Sequence, residues 1–84
     1  MLQSMTIITK DNCKWCVLAK ELLKKNGIPF KELHIPESLS REEFLTLAEE
    51  HDTLPTVPKI FVGRKKLIGG YDDLVQYLLK KERQ

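Results

Sequence analysis

Short groups of apolar residues along the chain alternate with polar and glycine- or proline-bearing segments. Thr6 to Thr9 is apolar and β-branched and reads as a first strand. Trp15, Leu18, Ala19, Leu22 and Leu23 then recur at helical spacing, which predicts a helix from about Cys13 to Lys25. Asp11 or Asn12 is expected to supply its N-cap, and Gly27 its left-handed C-terminal stop. Phe30, Leu33 and Ile35 alternate imperfectly with polar residues, which suits a second strand over 30–35. Strand, helix and strand in this order form a βαβ unit, so the two strands should be parallel with a right-handed crossover.

Pro36 stops the second strand. Ser40 and Glu43 form a capping box for a second helix, which carries Phe44, Leu47 and Ala48 on one face and fades near His51. Pro55 and Pro58 exclude a helix between Thr53 and Pro58. Lys59 to Val62 and Lys65 to Ile68 read as two strands joined by a tight turn at Gly63-Arg64, an antiparallel hairpin. After Gly69-Gly70, Tyr71, Leu74, Val75, Leu78 and Leu79 mark an amphipathic helix. Asp72 and Asp73 lie in its first turn and Lys80 and Lys81 in its last, as the helix dipole favours, and the chain is expected to fray from Glu82. The order β-α-β-α-β-β-α predicts an α/β fold: one four-stranded mixed sheet with helices on both faces.

Composition narrows the function classes. Eighty-four residues suit a single domain over 1–84, its core within about 5–80, and a chain this short buries only roughly 60–65% of its unfolded surface. Fourteen basic residues against 12 acidic ones leave a net charge of +2, too even to point to a nucleic-acid or membrane partner. No apolar run reaches the roughly 18–20 residues of a membrane span, and the first residues lack the pattern of a secretory signal. The expected setting is therefore the reducing cytoplasm. There, paired cysteines are more often catalytic or metal-binding than structural.

The two cysteines of the chain, Cys13 and Cys16, fall where the first strand gives way to the first helix. A thiol attacks a disulfide as its thiolate. At the start of a helix, free backbone N–H groups and the dipole favour that charge at Cys13, and Lys10 and Lys14 add positive potential. Cys16, one turn further in, is more shielded. Cys13 is thus the expected nucleophile and Cys16 the resolving thiol. Two other readings compete. The cysteines would serve as small buried apolar residues, or as part of a zinc site. A structural zinc needs four ligands, and only His34 and His51 remain, at a separation unlike a zinc finger. Each histidine alone reads as a surface or partly buried residue with no catalytic task. The redox pair is the favoured reading, and no metal is expected.

Three segments together resemble the glutaredoxins, of the thioredoxin superfamily: Thr9 to Cys16, Thr56-Val57-Pro58, and Gly69-Gly70-Tyr71-Asp72-Asp73-Leu74. The resemblance covers about residues 5–80. It implies a thioredoxin fold with three helices flanking the sheet. The implied activity is glutathione-dependent reduction of protein disulfides and protein–glutathione mixed disulfides, with electron donation to ribonucleotide reductase as one downstream role. Glutathione is the implied co-substrate, glutathione reductase an indirect partner, and a monomer the implied state. On this resemblance Val57 pairs its backbone with the cysteinyl part of glutathione and Pro58 is cis. Gly70, Tyr71 and Asp72 hold the γ-glutamyl end, Lys10 meets the glycyl carboxylate, and Thr56 and Trp15 line the groove. Lys14 and Trp15 stand where the family usually has proline and tyrosine, so Lys14 is expected to tune the thiolate pKa and the potential. Family members lacking that proline sometimes bridge an iron–sulfur cluster through glutathione, which leaves a cluster carrier as one alternative. A small redoxin reduced by thioredoxin reductase is the other, and the Gly70 to Asp73 turn argues against it.

Overall fold

The computed structural model describes residues 4–82. Its elements are β1 (Met5–Lys10), α1 (Lys14–Lys25), β2 (Phe30–Ile35), α2 (Arg41–Glu50), β3 (Lys59–Val62), β4 (Lys66–Gly69) and α3 (Tyr71–Glu82). The order is the one the sequence pattern predicts. The fourth strand starts and ends one residue later than expected. The last helix includes Glu82, so the rest of the expected frayed end lies outside the described residues.

The sheet runs β2-β1-β3-β4. β1 pairs parallel with β2, from Met5 opposite Phe30 to Lys10 opposite Ile35, as a βαβ unit requires. β3 lies antiparallel to both β1 and β4. The central strands are buried on both faces, which explains their nearly unbroken apolar character. Alternation sends their side chains to two cores. Ile7, Ile60 and Val62 pack with Ala19 and Leu23 of α1 and Leu74 of α3. Ile8 and Phe61 pack with Phe44 of α2 on the opposite face. Full burial of a leucine or isoleucine contributes roughly 1.5–3 kcal/mol.

The helix ends follow their caps. Asn26 and Gly27 close α1 in a Schellman arrangement, with Ile28 N–H donating to the Leu23 carbonyl and Gly27 at φ 66°. Ser40 and Glu43 make the expected reciprocal capping box, and the bond from the Ser40 N–H holds the Glu43 carboxyl below its ordinary pKa. Two expectations fail. The N-cap of α1 is neither Asp11 nor Asn12 but Cys13, whose sulfur accepts from the Cys16 N–H. Asn12 is taken up by the turn, at φ 56°, a region asparagine tolerates better than most residues. In α3, Leu79 is exposed while Tyr77 packs on the core, because the sheet meets a face of the helix centred on Leu74. Among the described residues, no helix is long and apolar enough to cross a membrane.

Candidate active site

Strand pairing gathers three distant segments at one end of the sheet. β1 runs out at Lys10, where the turn to Cys13 begins. The antiparallel register sets Ile8 opposite Lys59, so the 53–58 loop arrives beside that turn. β3 pairs Ile60 with Gly69, which brings the start of α3 to the same place.

Cys13 and Cys16 are joined by a disulfide, their Cα atoms 5.3 Å apart. The pair is asymmetric. Cys13 is half-buried at the helix start, whereas Cys16 is only 2% exposed. The Cys16 N–H points at the Cys13 sulfur, 3.1 Å away. That N–H is one of the donors a helix start leaves without an intrahelical partner, and a donor in this position favours a negative charge on the sulfur. The Val57 carbonyl oxygen lies 3.9 Å from the same sulfur. The Val57-Pro58 peptide is cis.

A cavity of about 230 Å³ opens on one flank of the disulfide. Trp15, Thr56, Val57, Pro58, Gly70, Tyr71 and Asp72 line it, as does Asp73. Trp15, 52% exposed, sets its ring 5.4 Å from that of Tyr71, which leans on the core below. Seven of the eight residues singled out for glutathione therefore share one cavity. Lys10 does not. It lines a second cavity of about 560 Å³ on the other flank, together with Cys13, Cys16 and Lys14.

Two residues that the motifs left unassigned hold the first cavity in shape. The Asp73 carboxylate accepts from the Gly70 N–H at 3.0 Å and so caps α3. It lies against the bare Cα of Gly69, where φ is 130° and any side chain would collide with it. Lys59 is 5% exposed, and its ammonium donates to the hydroxyls of Thr53 and Thr56, at 3.3 and 3.2 Å. Burial lowers its pKa, and the nearby Asp73 carboxylate opposes that shift. A lysine directly after the proline of the second segment was the available signal, but a period of two does not say which way a side chain at a strand's first residue turns.

The second cavity carries charge. Thr9 Oγ1 donates to Glu32 Oε2 at 2.5 Å and stands 2.8 Å from His34 Nδ1. His34 Nε2 is 2.9 Å from Asp11 Oδ1, and Lys20 Nζ is 3.0 Å from Glu32 Oε2. The bond from Thr9 and the Lys20 ammonium lower the Glu32 pKa, while the bond to Asp11 raises that of His34. Among the described residues, no group of three or more His, Cys, Asp or Glu side chains could hold a metal ion.

The chain and its fold have known counterparts. A family model described as glutaredoxin matches residues 5–68. Glutaredoxin 3 of Escherichia coli is 36% identical over 73 residues, which span 87% of this chain and 83% of that protein. A hybrid peroxiredoxin of Haemophilus influenzae is also 36% identical, over 75 residues, and there the match spans 89% of this chain but only 29% of the relative. The crystal structure of a buckwheat glutaredoxin–glutathione complex superposes with a TM-score of 0.80 at 24% identity, covering 93% of this chain and 70% of that one.

Proposed function

The chain belongs to the glutaredoxin family and is a thiol–disulfide oxidoreductase, and on that footing we propose that it draws its electrons from glutathione. The observation that carries this reading is the cavity beside Cys13. It combines an aromatic wall, Trp15 and Tyr71, with the backbone of the Thr56 to Pro58 loop and the N-terminus of a 12-residue helix. Such a groove suits a short peptide: backbone edges pair with it, and the helix start favours its carboxylate. The match to a glutaredoxin solved with glutathione adds to this.

The chemistry runs through Cys13. Its thiolate attacks the glutathione sulfur of a protein–glutathione mixed disulfide, and the protein thiol leaves and takes up a proton. The new bond joins Cys13 to glutathione. A second glutathione thiolate attacks the bound glutathione sulfur, which yields glutathione disulfide and restores the Cys13 thiolate. With a protein disulfide as substrate, Cys13 forms the mixed disulfide and Cys16 attacks the Cys13 sulfur, releasing the second substrate thiol. Two glutathiones then reduce the Cys13–Cys16 bond, and glutathione reductase recycles their disulfide. Asp72 accepts from the γ-glutamyl ammonium and Val57 pairs its backbone with the cysteinyl unit. Lys10 is assigned to the glycyl carboxylate, reaching across from its own cavity, and Lys14 tunes the thiolate. A monomer in the cytoplasm, serving ribonucleotide reductase among other disulfide-bearing proteins, completes the reading.

Turnover of a glutathionylated peptide with glutathione, glutathione reductase and NADPH tests it. Cys13→Ser should be inactive, and Cys16→Ser should retain this reaction while losing reduction of protein disulfides. An inactive wild type that reduces insulin with thioredoxin reductase would overturn the reading.

A further inference from the structure

The charged cavity behind the disulfide has a proton count that the hydrogen bonds fix. Glu32 Oε2 accepts from both Thr9 and Lys20, and these bonds lower the Glu32 pKa and keep it a carboxylate. The single Thr9 hydroxyl proton is committed to it. His34 Nδ1 therefore has to donate to Thr9 Oγ1, because two acceptors would otherwise face each other at 2.8 Å. His34 Nε2 has to donate as well, since its partner at 2.9 Å is the Asp11 carboxylate. Both ring nitrogens carry protons only in the imidazolium.

The placement of this ring ties it to the nucleophile. His34 sits opposite Thr9 in the β1–β2 register, and Thr9 is almost fully buried, so the ring has a fixed seat. Its other end grips Asp11, two residues ahead of Cys13 in the turn that presents the thiol. His34, Asp11 and Glu32 line the same cavity as Cys13 and Cys16. From β1 and α1 that cavity also receives Lys10, Lys14 and Lys20, and from the turn after β2 the Glu37 carboxylate stands 4.0 Å from Nε2.

We propose that His34 is a positioning residue for Cys13: as an imidazolium it neutralises and holds the Asp11 carboxylate, fixes the turn before the nucleophile, and favours the Cys13 thiolate. When His34 loses its proton, the bond to Asp11 or the bond to Thr9 is lost. In either case the Asp11 carboxylate, two residues from the reacting sulfur, loses its counter-charge, and the cavity holds one positive charge fewer. The bond to Asp11 also raises the His34 pKa, which keeps the ring charged to higher pH than an isolated histidine. The inference rests on the thiol–disulfide chemistry of the pair and requires nothing of glutathione.

Coupling of this kind is reciprocal. If the imidazolium favours the Cys13 thiolate, the thiolate favours the imidazolium. The His34 ring should thus titrate at higher pH in the reduced protein than in the disulfide form, by about threefold in its ionisation constant, half a pH unit. Heteronuclear NMR of the two histidine rings across pH, in wild-type protein in each redox state, reads this directly. His51, which packs on Phe61 and lies outside the cavity, is the internal control. In reduced His34→Gln, the Cys13 thiolate absorbance should appear about half a pH unit higher than in wild type. Identical His34 titrations in the two redox states would overturn the proposal whether or not His34→Gln folds. An unshifted Cys13 ionisation in a folded His34→Gln would do the same. Glutathione enters neither arm, so failure here leaves the glutathione reading standing, and loss of glutathione turnover leaves this one standing.

Discussion

The disulfide separates two cavities built on different principles. On one flank, recognition surfaces are backbone edges, aromatic faces and a helix start; of its side chains only Asp72 and Asp73 are charged. On the other flank six of the eleven lining residues carry titratable side chains: Lys10, Asp11, Lys14, Lys20, Glu32 and His34. Backbone geometry selects by shape and is insensitive to pH. A network of side-chain charges selects little by shape but shifts the ionisation of whatever it surrounds. The disulfide thus stands between the side proposed to hold a partner and the side proposed to set the reactivity of Cys13.

The sharpest way to break this division is to remove a charge from each flank and compare. Asp72→Asn should raise KM for a glutathionylated peptide about tenfold or more while leaving kcat nearly unchanged, since a hydrogen bond to a charged group is worth about 1.5–3 kcal/mol. Glu32→Gln on the opposite flank should leave that KM within about twofold. Equal effects on KM would show that both cavities bind the partner.

A smaller effect is expected from the cap that shapes the first cavity. Asp73→Ala frees the Gly70 N–H and should cost about 1 kcal/mol, a fall in Tm of about 4–8 °C for a domain of this size. If Tm holds and only KM rises, Asp73 touches the ligand instead of framing its site.

The smallest effects belong to the titratable flank and carry opposite signs on either side of neutrality. The folded Glu32 pKa is lowered, so its contribution is present above the unfolded value of about 4.3 and is lost as pH falls through the folded value. The folded His34 pKa is raised, so its contribution is complete below the unfolded value of about 6.5 and disappears as pH rises through the folded one. Denaturant midpoints measured across pH should therefore fall at both ends. Glu32→Gln should flatten the acid limb, by about 1 kcal/mol or less for a partly exposed carboxylate.

The two flanks also differ in how legible they were. The first could be assembled from contiguous motifs, because residues 56–58 and 69–74 each act as a unit and need only be brought beside Cys13. The second draws single residues from β1, the turn after it, α1 and β2. His34 looked idle in the sequence, because nothing in the pattern around it names Thr9, Asp11 or Glu32 as neighbours. The cap of α1 was missed for a related reason. Asp11 and Asn12 are both better N-cap residues than cysteine, but the turn spends Asn12 on a left-handed residue and Asp11 on His34.

What the sequence determined alone were the properties that depend on near neighbours. These are the order and type of the elements, the capping box at Ser40, the Schellman stop at Gly27, and the asymmetry of two cysteines one helical turn apart. Local periodicity and capping carry these because they act within a few residues. Tertiary structure alone decided what depends on register. Pairing of Thr9 with His34 set the charged network, Ile8 with Lys59 delivered the proline loop, and Ile60 with Gly69 delivered the start of α3. Sheet register is a contact between residues far apart in the chain, and no single stretch of sequence contains both halves of it.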